Sequence, residues 1–154
     1  MALAAIDDTG TLSMRLLITG GAGFIGSNLA DKALKAGWQV AVLDDLSSGR
    51  RDNVPAAAEF FQVDIQDAAA VEKAFASFKP TAVSHQAAQA SVAISVREPQ
   101  KDASINIIGS INVMQSCVNH KVEHLVFAST GGAIYGEVPD GTRALVSTVP
   151  LPLR

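Results

Sequence analysis

Three glycines near the amino terminus have the spacing of a phosphate-binding turn. Gly20, Gly23 and Gly26 form a G-x-x-G-x-x-G pattern between an apolar run at 15–19 and a helical pattern that begins at Phe24. Glycine allows a tight turn at the first position, close approach of phosphate at the second and close helix packing at the third. The N–H groups and positive dipole end of the helix would then face an anion. The pattern predicts a pyrophosphate site, with an ordinary turn as the alternative.

A carboxylate follows the second apolar run. Asp44 comes directly after the run 39–43 and 18 residues after Gly26. At that place a carboxylate can accept hydrogen bonds from the ribose hydroxyls of an adenine dinucleotide. Its charge would repel a 2′-phosphate, which favours NAD over NADP. Arg50 and Arg51 follow closely in the sequence and could weaken that preference.

The elements that must position these groups alternate along the chain. Short apolar runs predict buried strands, and segments with apolar residues at helical spacing predict the helices between them. Asp67 is expected to cap the second helix, and Lys79-Pro80 to end it. The predicted strands are 15–19, 39–43, 59–63, 81–85 and 123–129, and the predicted helices are 24–36, 68–78 and 100–119.

Each predicted helix has one apolar face. The expected faces are Ile25, Leu29, Ala33 and Ala36 in the first helix, Val71, Ala74, Phe75 and Phe78 in the second, and Ile107, Ile111, Met114 and Val118 in the third.

This alternation predicts an α/β fold, a doubly wound parallel sheet with strand order 3-2-1-4-5. Ligands of such sheets bind beyond the carboxyl ends of the strands. The glycine turn, Asp44, Asp64, the segment 85–89 and the pair 129–130 all follow strand ends. Their convergence at one edge is stronger evidence for a site than any single motif.

Composition excludes several other classes. Of the 154 residues, 48% are hydrophobic and 18% charged, which suits one domain with a sheet buried on both faces. The net charge of −3 gives no basic surface for nucleic acid, and no apolar run approaches the length of a membrane span. The lone Cys117 fits a reducing cytoplasm and is expected to be a small buried helix residue rather than a reactive thiol. His120 and His124 do not predict a metal site.

Six stretches together resemble the extended short-chain dehydrogenase/reductase family, specifically its NAD-dependent nucleotide-sugar epimerases and dehydratases. The likeness is somewhat closer to the epimerases, covers about residues 14–143, and implies a Rossmann fold. The stretches are LLITGGAGFIGSNLA, VAVLDDLSSGRRDNVP, FFQVDIQD, VSHQAAQASVAISVREP, INIIGSINVM and LVFASTGGAIYGE.

The resemblance implies a role for each matching residue. Phe24 and Ile25 would bring backbone N–H groups to the pyrophosphate, and Asp44 would hold the adenosine ribose. Asn106 would support the end of the fourth strand. The adenine side would be lined by Asp45, Leu46, Ser47, Ser48, Gly49, Asp64 and Ile65, and the length of the cofactor by Ala87, Ala88 and Gln89.

The catalytic pair of the family has no counterpart in these 154 residues. The resemblance implies a Tyr-x-x-x-Lys motif whose tyrosine removes a proton from the sugar hydroxyl, and a Ser/Thr, matched by Thr130 with Ser129 beside it, that binds that hydroxyl. The single tyrosine, Tyr135, is followed four residues later by Pro139. Two readings stay open: the cofactor half of an epimerase or dehydratase acting on a nucleotide sugar such as a UDP-sugar, or a non-catalytic NAD-binding fragment.

The two ends depart from the family pattern. Residues 1–13 are expected to be a flexible leader, and 144–154 an aberrant tail that follows a frameshift or truncation after Arg143, with the sugar-binding domain absent. The fifth strand and the long helix would then expose apolar surface. We therefore expect the chain to self-associate, and a full-length parent to be a homodimer.

Overall fold

The apolar runs predicted as strands pair into one parallel sheet. The computed structural model describes residues 14–129. All four strand pairings are parallel. The α/β class, the Rossmann fold and the predicted order are therefore confirmed. The sheet has the order β3-β2-β1-β4-β5, with β1 (Arg15–Thr19), β2 (Gln39–Asp44), β3 (Glu59–Gln62), β4 (Ala82–His85) and β5 (His124–Phe127).

Helices connect these strands. Asp67 caps the second helix as predicted, because its Oδ1 accepts the Ala70 N–H at 3.0 Å. None of the helices within residues 14–129 is long and apolar enough to cross a membrane. The helices are α1 (Phe24–Lys35), α2 (Ala68–Phe78), α3 (Val92–Arg97), α4 (Pro99–Ala103) and α5 (Ser110–Asn119), with a π-helical segment (Ser104–Gly109) between the last two and a 3₁₀ turn at Arg51–Asn53.

The three inner strands, β2, β1 and β4, are buried on both faces, with one apolar cluster on each face, whereas all four residues of the edge strand β5 are exposed. Along β1, Leu17 belongs to one cluster, while Leu16 and Ile18 belong to the other, as the two-residue period of a strand requires. The predicted inward face of α2 is confirmed, because all four of its residues are buried.

The predicted face of α1 is wrong at two of its four positions. Ile25 and Ala36 are exposed, and the residues that α1 buries are Gly26, Ala30 and Ala33. The reason is the contact between Gly26 and the preceding turn, which sets the rotation of the helix and brings positions 26, 30 and 33 against the sheet.

The predicted face of the long helix is also not the face that packs on the sheet. Small residues predominate on its packed side, where a Cβ on Gly109 would already lie 2.6 Å from Ile65 Cγ1 in the loop after β3. The large side chains point away from that side, and Val118 is 72% exposed. The buried residues of this helix are Gly109, Ser110, Val113, Ser116 and Cys117, and the exposed apolar ones are Ile107, Ile108, Ile111, Met114 and Val118.

Cys117 is buried as expected, in the cluster with Phe75 and Val113. Burial raises the pKa of its thiol to about 11. Because the thiolate is the reactive form, we expect the folded chain to react with a disulfide reagent at a small fraction of the rate of the urea-unfolded chain. Absorbance of the released thiol measures this, and equal rates in the two states would contradict the burial.

Candidate functional site

The glycine-rich turn joins the carboxyl end of β1 to α1. Gly20 has φ +67 and its N–H donates to Leu43 O at 2.8 Å, so the turn is anchored on the neighbouring strand. A Cβ on Gly26 would lie 2.4 Å from Gly20 O, which only glycine avoids. The turn and the first turn of α1 are therefore packed backbone against backbone.

The amino end of α1 is left open. Its N-cap residue is Gly23, which has no side chain to occupy the N–H groups of the first turn, and that turn carries no acidic residue. The side chains of Phe24 and Ile25 are exposed. Backbone N–H groups at such an end have no partner within the helix. They form, with the dipole, a site for a phosphate.

Asp44 connects the two loops at this edge. It is only 7% exposed, and its Oδ2 accepts the Ala22 N–H at 3.0 Å. Its Oδ1 accepts the N–H of Leu46, a residue with φ +62, at 2.8 Å. A carboxylate has about four acceptor positions, so each oxygen retains one for a ligand. The side chain is thus fixed in place and still able to bind hydroxyl groups.

The two arginines near Asp44 have other partners. Arg50 Nη2 lies 3.8 Å from Asp52 Oδ2, and the guanidinium of Arg51 lies 4.6 Å from the centre of the Phe60 ring. Because these contacts are not with Asp44, the charge of Asp44 remains to repel a 2′-phosphate. The arrangement is consistent with the preference for NAD that the sequence predicts.

The loops after β2 and β3 carry two more carboxylates. Asp45 Oδ1 accepts the Ser47 N–H at 2.9 Å, which makes a local turn on the exposed side of the loop. Asp64 Oδ1 accepts the Gln66 N–H at 2.8 Å in the same manner. Ile65, which lies between Asp64 and Gln66, is buried. Both turns hold their loops at the rim of the same edge.

The segment after β4 is held by a polar cluster. Asn106 accepts the Gln89 N–H with Oδ1 at 2.8 Å and donates from Nδ2 to Gln89 O at 2.9 Å. The Gln89 side chain donates to Asp102 Oδ1 at 2.7 Å. The Ser95 hydroxyl and this amide, both donating to the carboxylate, lower the pKa of Asp102. Asn106 therefore fixes the backbone of the segment after β4 at Gln89.

A cavity of about 580 Å³ lies between these loops. It is the size of a typical small-molecule or cofactor site. Of the residues predicted to bind cofactor, those that line it are Gly20, Gly23, Asp44, Asp45, Ser47, Ser48, Asp64, Ile65, Ala87, Ala88 and Gln89.

Other predicted residues lie around the cavity rather than on its wall. Gly26 contacts Gly20 and Asn106 binds Gln89, both of which line the cavity. The predicted residues absent from its lining are Phe24, Ile25, Gly26, Leu46, Gly49 and Asn106. Eight further residues line the cavity that the sequence did not assign to the cofactor. Gln86 lies in the segment 85–89 that the sequence placed at this edge, and the others belong to no motif: Leu43, Gln66, Ala90, Ser91, Ile94, Lys101 and Ile105.

The predicted sugar-binding pair follows β5. Ser129 is exposed, and Ala128 beside it donates its N–H to His85 O at 3.1 Å. Thr130 lies outside the described residues, as do Tyr135, the segment 1–13 and the tail 144–154. Within residues 14–129, no three metal-ligating side chains cluster.

His85 links this site to the pH dependence of stability. Burial lowers its pKa from 6.5 to about 4. The described groups that contact its ring are the hydroxyls of Thr19 and Ser110 and the ring of Phe127, all uncharged. The unfolded chain therefore binds more protons between about pH 6.5 and 4, and stability falls as the pH falls through that window, by up to about 3 kcal/mol.

Urea unfolding between pH 7 and pH 5 measures this slope. His85→Asn is the matched control, because it removes the titrating ring while the carboxylates remain. We expect the variant to have a flatter pH dependence than the wild type; equal slopes would show that His85 does not carry the effect.

Together, the parallel sheet, the glycine turn and the fixed carboxylate at the end of β2 define a Rossmann-type dinucleotide-binding domain. The family model of the NAD dependent epimerase/dehydratase family matches residues 16–153. The chain belongs to this family.

Relatives within the family are UDP-glucose 4-epimerases. The enzyme of Mycolicibacterium smegmatis is 44% identical over 131 residues, which are 82% of this chain and 42% of that protein. The crystal structure of the Thermus thermophilus UDP-glucose 4-epimerase complex with NAD is similar with a TM-score of 0.85 and 55% identity, over 90% of this chain and 45% of that one. The structure of the Thermotoga maritima enzyme with UDP-glucose is similar with a TM-score of 0.84 and 46% identity, over 91% of this chain and 45% of that one. The chain thus spans less than half the length of these relatives.

Proposed function

We propose that this chain is the NAD-binding portion of a UDP-glucose 4-epimerase. One observation carries the cofactor assignment: Asp44, at the end of β2, is hydrogen-bonded to the glycine-rich turn through the Ala22 N–H at 3.0 Å. The carboxylate that would bind the ribose and the turn that would bind the phosphates are therefore joined in one rigid unit. The UDP-glucose 4-epimerases among its relatives support the assignment of the parent enzyme.

The residues of the site divide by the part of the ligand they would hold. The turn and the N–H groups of Phe24 and Ile25 hold the pyrophosphate, and Asp44 holds the adenosine ribose. NAD, when bound, supplies a reversible hydride acceptor for oxidation and re-reduction at C4 of the sugar. Ser129 and Thr130 bind the reacting hydroxyl of the UDP-sugar.

Calorimetric titration of the purified chain with NAD tests the cofactor site. We expect one binding site per chain and weaker binding of NADP, because the Asp44 carboxylate repels a 2′-phosphate. Circular dichroism of the same sample shows whether the chain is folded. A folded chain that binds neither dinucleotide would contradict the proposal.

A second reading, a non-catalytic NAD-binding fragment, has its own support. Tyr135 is the only tyrosine of the 154 residues, and the residue four positions after it is Pro139, so these residues contain no Tyr-x-x-x-Lys motif. We therefore expect these residues to bind NAD without interconverting UDP-glucose and UDP-galactose. Turnover by the purified chain would refute this reading. A dehydratase or another epimerase as the parent differs only in the sugar chemistry, which the full-length protein would reveal.

Exposed apolar side chains support self-association of this chain. Val118 and Ile111 on the long helix are exposed, as is Val126 on the neighbouring β5. Exposed large apolar side chains favour association with a second copy, and a homodimeric parent is the corresponding proposal. Light scattering over a concentration series would show a rising mass, and a constant monomer mass would contradict it.

A further inference from the structure

A buried histidine directly precedes the residues 86–89 that line the cofactor cavity. His85 ends β4 and is 1% exposed. Its Nδ1 lies 2.5 Å from Thr19 Oγ1 at the end of β1, and its Nε2 lies 2.9 Å from Ser110 Oγ on the long helix. The ring therefore bridges the two central strands and the helix that packs on them.

The neighbouring hydrogen bonds fix the position of its proton. The Ser110 hydroxyl donates to Asn106 O at 2.7 Å, so its oxygen must accept from His85 Nε2–H. In a neutral ring Nδ1 is then the acceptor, and Thr19 donates to it. Thr19 Oγ1 in turn accepts the Ala87 N–H at 3.2 Å. A single tautomer satisfies every group in the chain of bonds.

Both ends of this chain of bonds hold the same loop. The Ala87 N–H is bound through Thr19, and Asn106, one turn before Ser110, holds both backbone groups of Gln89. The loop is pressed on the glycine turn, because a Cβ on Gly20 would lie 2.7 Å from Ala87 N. A shift of this loop would therefore move the phosphate turn.

We propose that His85 is a positioning residue of the cofactor site: as the neutral Nε2–H tautomer, it connects Thr19 to Ser110 and thereby holds the wall at 87–89 against the glycine-rich turn. Its effect on ligand affinity rests on the proposed NAD site. Its effect on the wall itself does not, and the two are measured separately.

Nitrogen NMR of the histidine rings in the free chain tests the tautomer. The chain has three histidines, and His85→Asn identifies the signal that belongs to His85. At pH 7 we expect a protonated Nε2 and an unprotonated Nδ1. A ring protonated on Nδ1 alone, or on both nitrogens, would overturn the proposal.

Two substitutions at position 85 separate the two bonds of the ring. Asparagine places its oxygen near the position of Nδ1 and can still accept from Thr19, whereas the amide of glutamine reaches the position of Nε2 and can donate to Ser110. We expect His85→Asn to retain hydrogen-exchange protection of the Ala87 N–H and His85→Gln to lose much of it. Equal protection in the two variants would argue for a purely structural role.

A matched threonine pair provides the control. Thr19→Val removes the hydroxyl that binds Ala87. Thr81→Val removes one that accepts the Arg15 N–H at 3.1 Å, at the opposite end of the same two strands. We expect Thr19→Val to lower Ala87 protection and to weaken NAD binding about tenfold, and Thr81→Val to leave both near wild type.

The outcomes separate the two proposals. If Thr19→Val and Thr81→Val leave Ala87 equally protected, the positioning role is refuted whether or not NAD binds. If Thr19→Val lowers the protection while the wild-type chain binds no NAD, the wall is positioned as inferred and the proposed function fails instead.

Discussion

Alanine in place of Gly26 is expected to reduce NAD affinity about 100-fold or more. The new Cβ would lie 2.4 Å from Gly20 O and 2.6 Å from Gly21 Cα. Both contacts are with backbone, so no side chain can rotate away to relieve them. The turn and the amino end of α1 must separate, which moves the N–H groups away from the pyrophosphate. Calorimetric titration measures the affinity, and thermal unfolding measures the accompanying loss of stability.

Gly37→Ala provides the control for this substitution. Gly37 has φ +82, and a Cβ there would meet no atom within 4 Å. Alanine at this position is strained by about 1 kcal/mol, yet it lies at the opposite end of α1 from the glycine-rich turn. We expect Gly37→Ala to lower stability and to leave NAD affinity unchanged. A Gly26→Ala chain that binds NAD as tightly as Gly37→Ala would show that the close packing of the turn is not needed for binding.

The order of the sheet was predictable because local signals and topology agree. Each strand contains a short apolar run, and Asp44 and Asp64 lie at or just after the ends of two strands. Right-handed crossovers then leave few arrangements of five parallel strands. The same reasoning placed the glycine turn and the segment 86–89 at one edge, where the cavity is found.

The orientations of the helices were not predictable from spacing alone. Hydrophobicity suggested that Ile25 and Ile111 face the sheet, but both are exposed. Contact distance decides instead, because Gly26 and Gly109 allow a closer approach than any larger residue. A small residue on the packed face leaves no hydrophobic signal, so such a face is missed by periodicity.

The short helix α3 and the histidine network depend on side-chain hydrogen bonds rather than on an apolar face. α3 has six residues and none is buried. It is held by Ser91 at its cap and by Ser95, which donates to Asp102 at 2.6 Å. Likewise, His85 binds Thr19 across 66 positions in the chain. Long-range hydrogen bonds of this kind have no periodic signature.

Alanine in place of Asp44 is expected to weaken NAD binding by about 100-fold or more. Two effects add in the same direction. The ribose loses its acceptor, and the buried N–H groups of Ala22 and Leu46 lose theirs, so both loops at this edge are loosened. Asp31→Ala is the matched control: Asp31 lies on α1, is exposed and does not line the cavity, so its loss should change the affinity only slightly.

Asp44→Asn separates the charge of this side chain from its hydrogen bonds. The amide oxygen can still accept one of the two backbone N–H groups, while the negative charge is removed. If the charge determines cofactor choice, NAD affinity falls and NADP affinity rises, so the ratio between the two narrows in the asparagine variant. Arg50 and Arg51 then become available partners for a 2′-phosphate, since their present contacts are a surface ion pair and a ring contact. An unchanged ratio of NAD to NADP affinity would mean that the shape of the loop, and not the carboxylate, discriminates between the two dinucleotides.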